Sequence, residues 1–225
     1  MGMSHRLQWL LGNNIAHEGY LRYSMAVMQH PTSERTLVLI KPDGVKRGLV
    51  GEVLGRFEAR GLKIIAIQMI WPSRDQMDKH YPKENEWIMG LGRNTAKSYE
   101  EFKIPSTLMD DYGTEDQLEI GGMVREWLID FMVSGPIVKI VVEGLHAIRM
   151  VRKIIGPTIP AFAEMGSIRG DFSVDSPVLA NVQKRAVRNL IHASGNSAEA
   201  EYEIKHWFKP DELHSYRRTE EDIMF

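Results

Sequence analysis

The chain has 225 residues, room for one large domain or two small ones. At 43% hydrophobic and 26% charged it has the composition of an ordinary soluble globular protein. Its formal net charge of −2 provides no overall field to recruit nucleic acid or a membrane surface, so an anionic ligand needs a local cationic pocket. The absence of cysteine excludes disulfides, thiolate metal sites and a cysteine nucleophile, which fits a cytoplasmic protein.

Residues 1–33 read as a flexible N-terminal extension. Their apolar patch, Leu7–Leu11, is shorter than the core of a signal peptide, and no small-residue cleavage site follows it. Met25 and Met28 offer alternative starts within the same stretch. No run anywhere in the chain approaches the ~18–20 apolar residues of a membrane-spanning helix.

Regular patterning begins at Arg35. "RTLVLIK" is strand-like, and Pro42 and Gly44 in the following "KPDGV" force a loop. Leu49, Val50, Val53, Leu54 and Phe57 then recur on one helical face, with Gly61 as the stop. "LKIIAIQMIW" predicts a second strand that ends at Pro72, and Ser73 caps a short helix, "SRDQMDKHY".

Residues 82–122 mix glycine, proline and charge and read as a loop-rich insertion with one or two short helices. "MVREWLIDFM" is again helical, "PIVKIVVEG" is a strand, and "LHAIRMVRKIIG" is a helix stopped by Gly156-Pro157. An irregular stretch runs to "IRGDF", and a small insertion spans about residues 175–184. The final strand is "NLIHAS", and the final helix starts near Asn196 with Glu199 as its capping partner. Helices and strands mix without strict alternation, which predicts an α+β sandwich on an antiparallel or mixed sheet.

Three places have the residue types for phosphate chemistry. His192 is followed by Ala193, Ser194 and Gly195, small residues that leave room for a bulky anion. A neutral imidazole attacks phosphorus if its other nitrogen is held and cations face the phosphate oxygens. Glu203, in the next helix, is placed to hold the ring directly or through Ser194. Lys41 closes a strand just before a turn, where ligands often bind. Arg152 and Arg169 lie beside glycine-containing turns, where a guanidinium can fork onto phosphate. Each also has a plainer reading: a satisfied strand histidine, a solvated strand end, two surface charges. There is no G-x-x-x-x-G-K-[ST] and no H-E-x-x-H, and "GLGRNT" at Gly90 lacks the third glycine of a dinucleotide fingerprint.

Together these segments resemble the nucleoside diphosphate kinase family. "ERTLVLIKPDGVKRGLVGEVLGRFEARGLKI", His80–Tyr81, "SGPIVKIVVEG", "GPTIP", "SIRGDF", "RNLIHAS" and "EIKHWFKPDEL" occur in the family's order, over about residues 34–81 and 128–225. The resemblance implies a ferredoxin-like α/β sandwich with a four-stranded antiparallel sheet, spanning residues 34–225 with insertions at about 82–122 and 175–184. It implies phosphate transfer between nucleoside triphosphates and diphosphates, with Mg2+ carried by the nucleotide, no protein-bound metal, and a homo-oligomeric assembly. By matching positions, His192 is the phosphorylated nucleophile. Glu203 orients it, with Ser194 beside it and Tyr81 close behind. Lys41, Arg152, Thr158 and Arg169 hold the phosphates, and Asn189 the ribose. Where the family stacks a phenylalanine on the base, counting back from "SGP" finds Arg125. Either its guanidinium stacks instead, or an aromatic of the insertion does (Trp87, Tyr99, Phe102 or Tyr112). Ala193 replaces the usual glycine, and Gly195 lacks the acidic side chain that often follows.

Overall fold

The apolar run before Lys41 is uninterrupted, and residues 36–41 are all buried. A strand covered on both faces shows such a run instead of alternation. In the computed structural model, which describes residues 33–224, this run is strand β1 (Ser33–Ile40). It lies inside a four-stranded sheet of order β2-β3-β1-β4, with β2 at Lys63–Ile70, β3 at Ile137–Leu145 and β4 at Ile191–Ala193. β1 pairs antiparallel with β4, setting Leu39 opposite His192. β2 pairs antiparallel with β3 from Lys63↔Glu143 to Ile70↔Ile137, with an irregularity between Ile64 and Ala66.

Strand parity divides the core in two. Val38, Ile40, Val138 and Ile140 face one side and pack against helix α2 (Val50–Glu58) through Val53 and Phe57. On the same side, helix α7 (Ala147–Ile155) contributes Val151 and Ile155. Leu37, Leu39, Ile137 and Val141 face the other side. There they meet Met77 of α3 (Arg74–His80), Ile129 and Met132 of α6 (Gln117–Met132), and Trp207 of α10 (Ser197–Trp207). This is the ferredoxin-like sandwich that the sequence implies. No helix among the described residues is long and apolar enough to cross a membrane. The proposed flexible extension lies outside the described residues except for Ser33, which opens β1.

Three segments differ from expectation. "KPDGV" is not a loop but a single helical turn, α1 (Pro42–Lys46), with proline at its start. Proline's fixed φ suits that position, and its missing N–H is not needed there. The insertion is far more helical than its composition indicates. It holds a 17-residue helix, α4 (Asn85–Glu101), then α5 (Leu108–Tyr112), and α6 begins at Gln117, well before the predicted start. Its glycines are not breakers. A Cβ on Gly92 would sit 1.9 Å from the Gln117 carbonyl, and one on Gly121 1.9 Å from that of Ile88. They let α4 and α6 cross with their backbones in contact. The smaller insertion contains another short helix, α9 (Pro177–Val182). The "IRGDF" segment forms α8 (Ile168–Phe172) after a 3-10 turn at Pro160–Phe162.

Candidate active site

β4 is only three residues long, and His192 is its middle residue. The turn after it is closed by Asn196, whose side chain caps α10 by accepting from the Glu199 backbone N–H. That cap starts α10 so that Glu203, on its buried face, returns to the strand. Glu203 Oε1 lies 2.9 Å from His192 Nε2, and Ser194 Oγ donates to Glu203 Oε2 at 2.6 Å. Both carboxylate oxygens are thus engaged. Burial works to raise the Glu203 pKa, but the His192 hydrogen bond and charge, with help from His80 and Ser194, bring it below the usual carboxylate range. Nε2 of His192 is held, and among the described residues no hydrogen-bond partner meets its Nδ1. The side chain is 24% exposed.

A second imidazole lies behind the first. His80, the buried last residue of α3, meets His192 edge to face with ring centroids 4.8 Å apart. Trp207 Nε1 donates to its Nδ1 at 3.3 Å. Burial, then the neighbouring His192, pushes its pKa down to about 3, so it is neutral, with its proton on Nε2. His80, His192 and Glu203 could in composition hold a metal. Their donor atoms are already taken by Trp207 and by each other, and an imidazole-rich set is unsuited to Mg2+, which takes oxygen ligands. Tyr81 is buried with its ring 5.0 Å from that of His80, and burial followed by the Glu203 charge raises its hydroxyl pKa.

The cationic side is built around Asn189. Lys41 Nζ donates to Asn189 Oδ1 at 2.7 Å, and Asn189 Nδ2 donates to the Thr158 carbonyl at 2.8 Å. Arg169 Nε donates to the Asn189 carbonyl at 3.1 Å; its other two nitrogens donate to Gly156 and Ile191. Burial, then the Arg169 charge, pulls the Lys41 pKa down to about 8, with Asp43 opposing. Burial and the neighbouring Arg152 likewise bring Arg169 to about 10. Arg152 and Thr158 are exposed. The next residue, Leu190, has a left-handed backbone at φ +69. Its N–H donates to Asp43 Oδ2 at 3.0 Å, and its carbonyl accepts from Lys41 N at 2.8 Å. These bonds hold a conformation that costs a branched residue about 1–2 kcal/mol, and they join the "KPDG" and "RNLIH" segments at the site. Of two cavities of about 800 and 580 Å3, neither is lined by His192, Glu203, Lys41, Asn189 or Arg169; the larger reaches Gly156.

The model of the family described as nucleoside diphosphate kinase matches residues 34–88 and 123–213. The chain belongs to the nucleoside diphosphate kinase family. It is therefore an enzyme of the kinase class, a nucleotide-binding phosphotransferase. A nucleoside diphosphate kinase of Pyrobaculum aerophilum is 45% identical over 180 residues, 80% of this chain and 97% of the relative. One of Archaeoglobus fulgidus is 38% identical over 85% of this chain and 97% of its own length. Among solved structures, an NDP kinase from Pyrobaculum aerophilum superimposes with a TM-score of 0.78 at 43% identity, covering 81% of this chain and all of the other. A nucleoside-diphosphate kinase from Borrelia burgdorferi, a transition-state mimic with bound vanadate and ADP, gives 0.67 at 35% identity, covering 85% and 96%.

Against the nucleoside diphosphate kinase pattern, the structure gives Arg125 a different place. It is buried, and its guanidinium donates to the carbonyls of Asp78, Tyr81 and Pro82 and to the Asp78 carboxylate. A cation at the end of α3 suits the partial negative charge there, and these bonds tie α6 to the segment that carries His80. The family match omits residues 89–122, most of α4 with α5 and the start of α6. His80, Trp207 and Asp43 join the site without any local pattern that marks them. The "HY" pair was the available signal for His80, but nothing in the sequence brings that helix end against β4.

Proposed function

We propose that this enzyme moves the terminal phosphate from a nucleoside triphosphate to a nucleoside diphosphate by a ping-pong route through phosphohistidine at Nδ1 of His192. The observation that carries it is the Glu203 contact to Nε2, which leaves Nδ1 for phosphorus and keeps its lone pair in the ring plane. Magnesium arrives with the nucleotide, as part of the substrate. Lys41, Arg152 and Arg169 neutralise the phosphate oxygens where charge develops, Thr158 adds a hydroxyl, and Asn189 takes the ribose.

In the first half-reaction the Nδ1 lone pair attacks the γ-phosphorus, the bond to the β–γ bridging oxygen breaks, and the diphosphate leaves with that electron pair. The Nε2 proton is shared with Glu203, which stabilises the positive ring. In the second half, a terminal oxygen of another diphosphate attacks the phosphohistidine and the N–P bond returns its electrons to Nδ1. Tyr81 and Ser194 back the ring and the carboxylate. We further propose a homo-oligomeric, cytoplasmic protein that needs neither membrane nor nucleic acid. Incubation with γ-labelled ATP should leave acid-labile, alkali-stable label on the wild type and none on His192→Ala. Label persisting on the folded variant would refute the assignment.

A further inference from the structure

The geometry points to Asp43 as a positioning residue of the phosphoryl transfer: one carboxylate oxygen holds the turn that sets Asn189 and His192, and the charge serves as counter-ion to Lys41 and Arg169. This deepens the reading above and rests on it. Asp43 touches no nucleotide group in that reading and acts only through its neighbours.

The turn is short and strained. Leu190 has φ +69, and Ile191 N–H donates to the Asn189 carbonyl across it at 2.8 Å, the bond of a γ-turn. Asn189 lies immediately before that residue and His192 two positions after it. Both backbone polar groups of Leu190 are held from the segment that starts α1. Asp43 Oδ2 accepts its N–H at 3.0 Å, and Lys41 N–H donates to its carbonyl at 2.8 Å. The approach is close: a Cβ on Gly44 would sit 3.0 Å from the Leu190 carbonyl oxygen and 2.8 Å from Ile40 Cγ2, so a side chain there would push α1 off the turn. Arg169 binds the carbonyls on either side, those of Asn189 and Ile191. One carboxylate and one guanidinium thus fix the chain where it enters β4.

The turn alone does not call for a carboxylate, because an amide or hydroxyl oxygen also accepts from an N–H. The second oxygen, Oδ1, is buried and meets no hydrogen-bond partner among the described residues, which is costly for an acceptor. What a neutral side chain would lack is charge. Burial and the Arg169 charge both act to strip Lys41 of its proton, and Asp43 opposes them. Burial and Arg152 of α7 act in the same way on Arg169, and again Asp43 opposes them. Of the other groups around Lys41, His80 of α3 is neutral and Glu203 of α10 is bound to His192 and Ser194, while α6 presents the Phe131 ring, 5.9 Å from Nζ. Asp43 is the counter-charge that lets Lys41 and Arg169 stay protonated together before a phosphate arrives.

The test follows the second-order rate constant for phosphorylation of His192 by γ-labelled ATP from pH 6 to 9.5 in the wild type, Asp43→Asn, Asp43→Ser and Asp43→Glu. The two neutral replacements keep an acceptor for the Leu190 N–H, and the glutamate keeps the charge. Two neutral side chains of different size are used so that one carries the comparison if the other does not fold. The alkaline inflection, near 8 in the wild type, should move to about pH 7 in Asp43→Asn and Asp43→Ser, the effect of removing one nearby charge. These two should then be about fivefold slower than the wild type at pH 8 and within about twofold of it at pH 6. Asp43→Glu should keep the wild-type inflection whatever its melting temperature. A purely structural residue would lower the rate alike at every pH and leave the inflection in place. That result, or an Asp43→Glu profile that moves with the neutral variants, would overturn the proposal. Absence of label on the wild type sinks the functional reading itself, whereas normal wild-type label with coincident inflections sinks only the role of Asp43.

Discussion

Glu203 binds the nucleophile and its neighbour at once: one carboxylate oxygen lies 2.9 Å from His192 Nε2, and the other accepts from Ser194 Oγ at 2.6 Å. A carboxylate fixed at both ends sets ring orientation and tautomer together. Glu203→Gln keeps the shape and removes the charge that stabilises a positive ring. Single-turnover phosphorylation of His192 should slow by about 10²-fold, the low end for a positioned acid–base group, with nucleotide affinity unchanged.

Lys41 links activity and stability to pH with opposite signs. Its folded pKa of about 8 lies below the ordinary 10.5. As pH rises through 8 the ammonium loses its proton, so kcat/KM should fall on the alkaline side with an inflection near that value. Between about 8 and 10.5 the unfolded chain holds a proton that the folded chain has released, so this residue's contribution to stability improves as pH rises. Denaturant titrations of wild type and Lys41→Met at pH 7 and 9.5 should show the wild type gaining relative to the variant.

His80 should give an acid-side effect. Its folded pKa is about 3 against an ordinary 6.5, so below pH 6.5 the unfolded chain takes up a proton that the folded chain refuses. Stability is therefore lost as pH falls from about 6.5 toward 3. The drop in melting temperature between pH 7.5 and 5 should be smaller in His80→Asn than in the wild type.

Arg125 should prove structural. Arg125→Ala strands the carbonyls at the end of α3, each loss of a charged donor costing roughly 1–3 kcal/mol. Unfolding free energy should fall by that order, while ADP affinity of the folded variant stays within twofold. A selective loss of ADP affinity at unchanged stability would return Arg125 to the base.

The sheet was legible because its residues declare it: a buried strand needs an unbroken apolar run such as Leu37–Ile40, and Ser73 and Asn196 carry their own caps. His192 and Glu203 could be paired because one short turn and a capped helix separate them. The insertion was not legible, because Gly92 and Gly121 look like breakers until the second helix is in contact. His80 and Arg125 were missed or misplaced for a related reason. Their roles depend on α3, α6 and α10 meeting in space, and no local pattern encodes that meeting.

Phosphohistidine transfer at His192 is tested most directly by finding which nitrogen bears the phosphate. Phosphorylated protein with 15N-labelled histidine, observed by 31P and 15N NMR, distinguishes the two ring positions. The expected result is one phosphohistidine, His192, bonded through Nδ1 with Nε2 still protonated. Phosphate on Nε2, or on any residue other than His192, would contradict it.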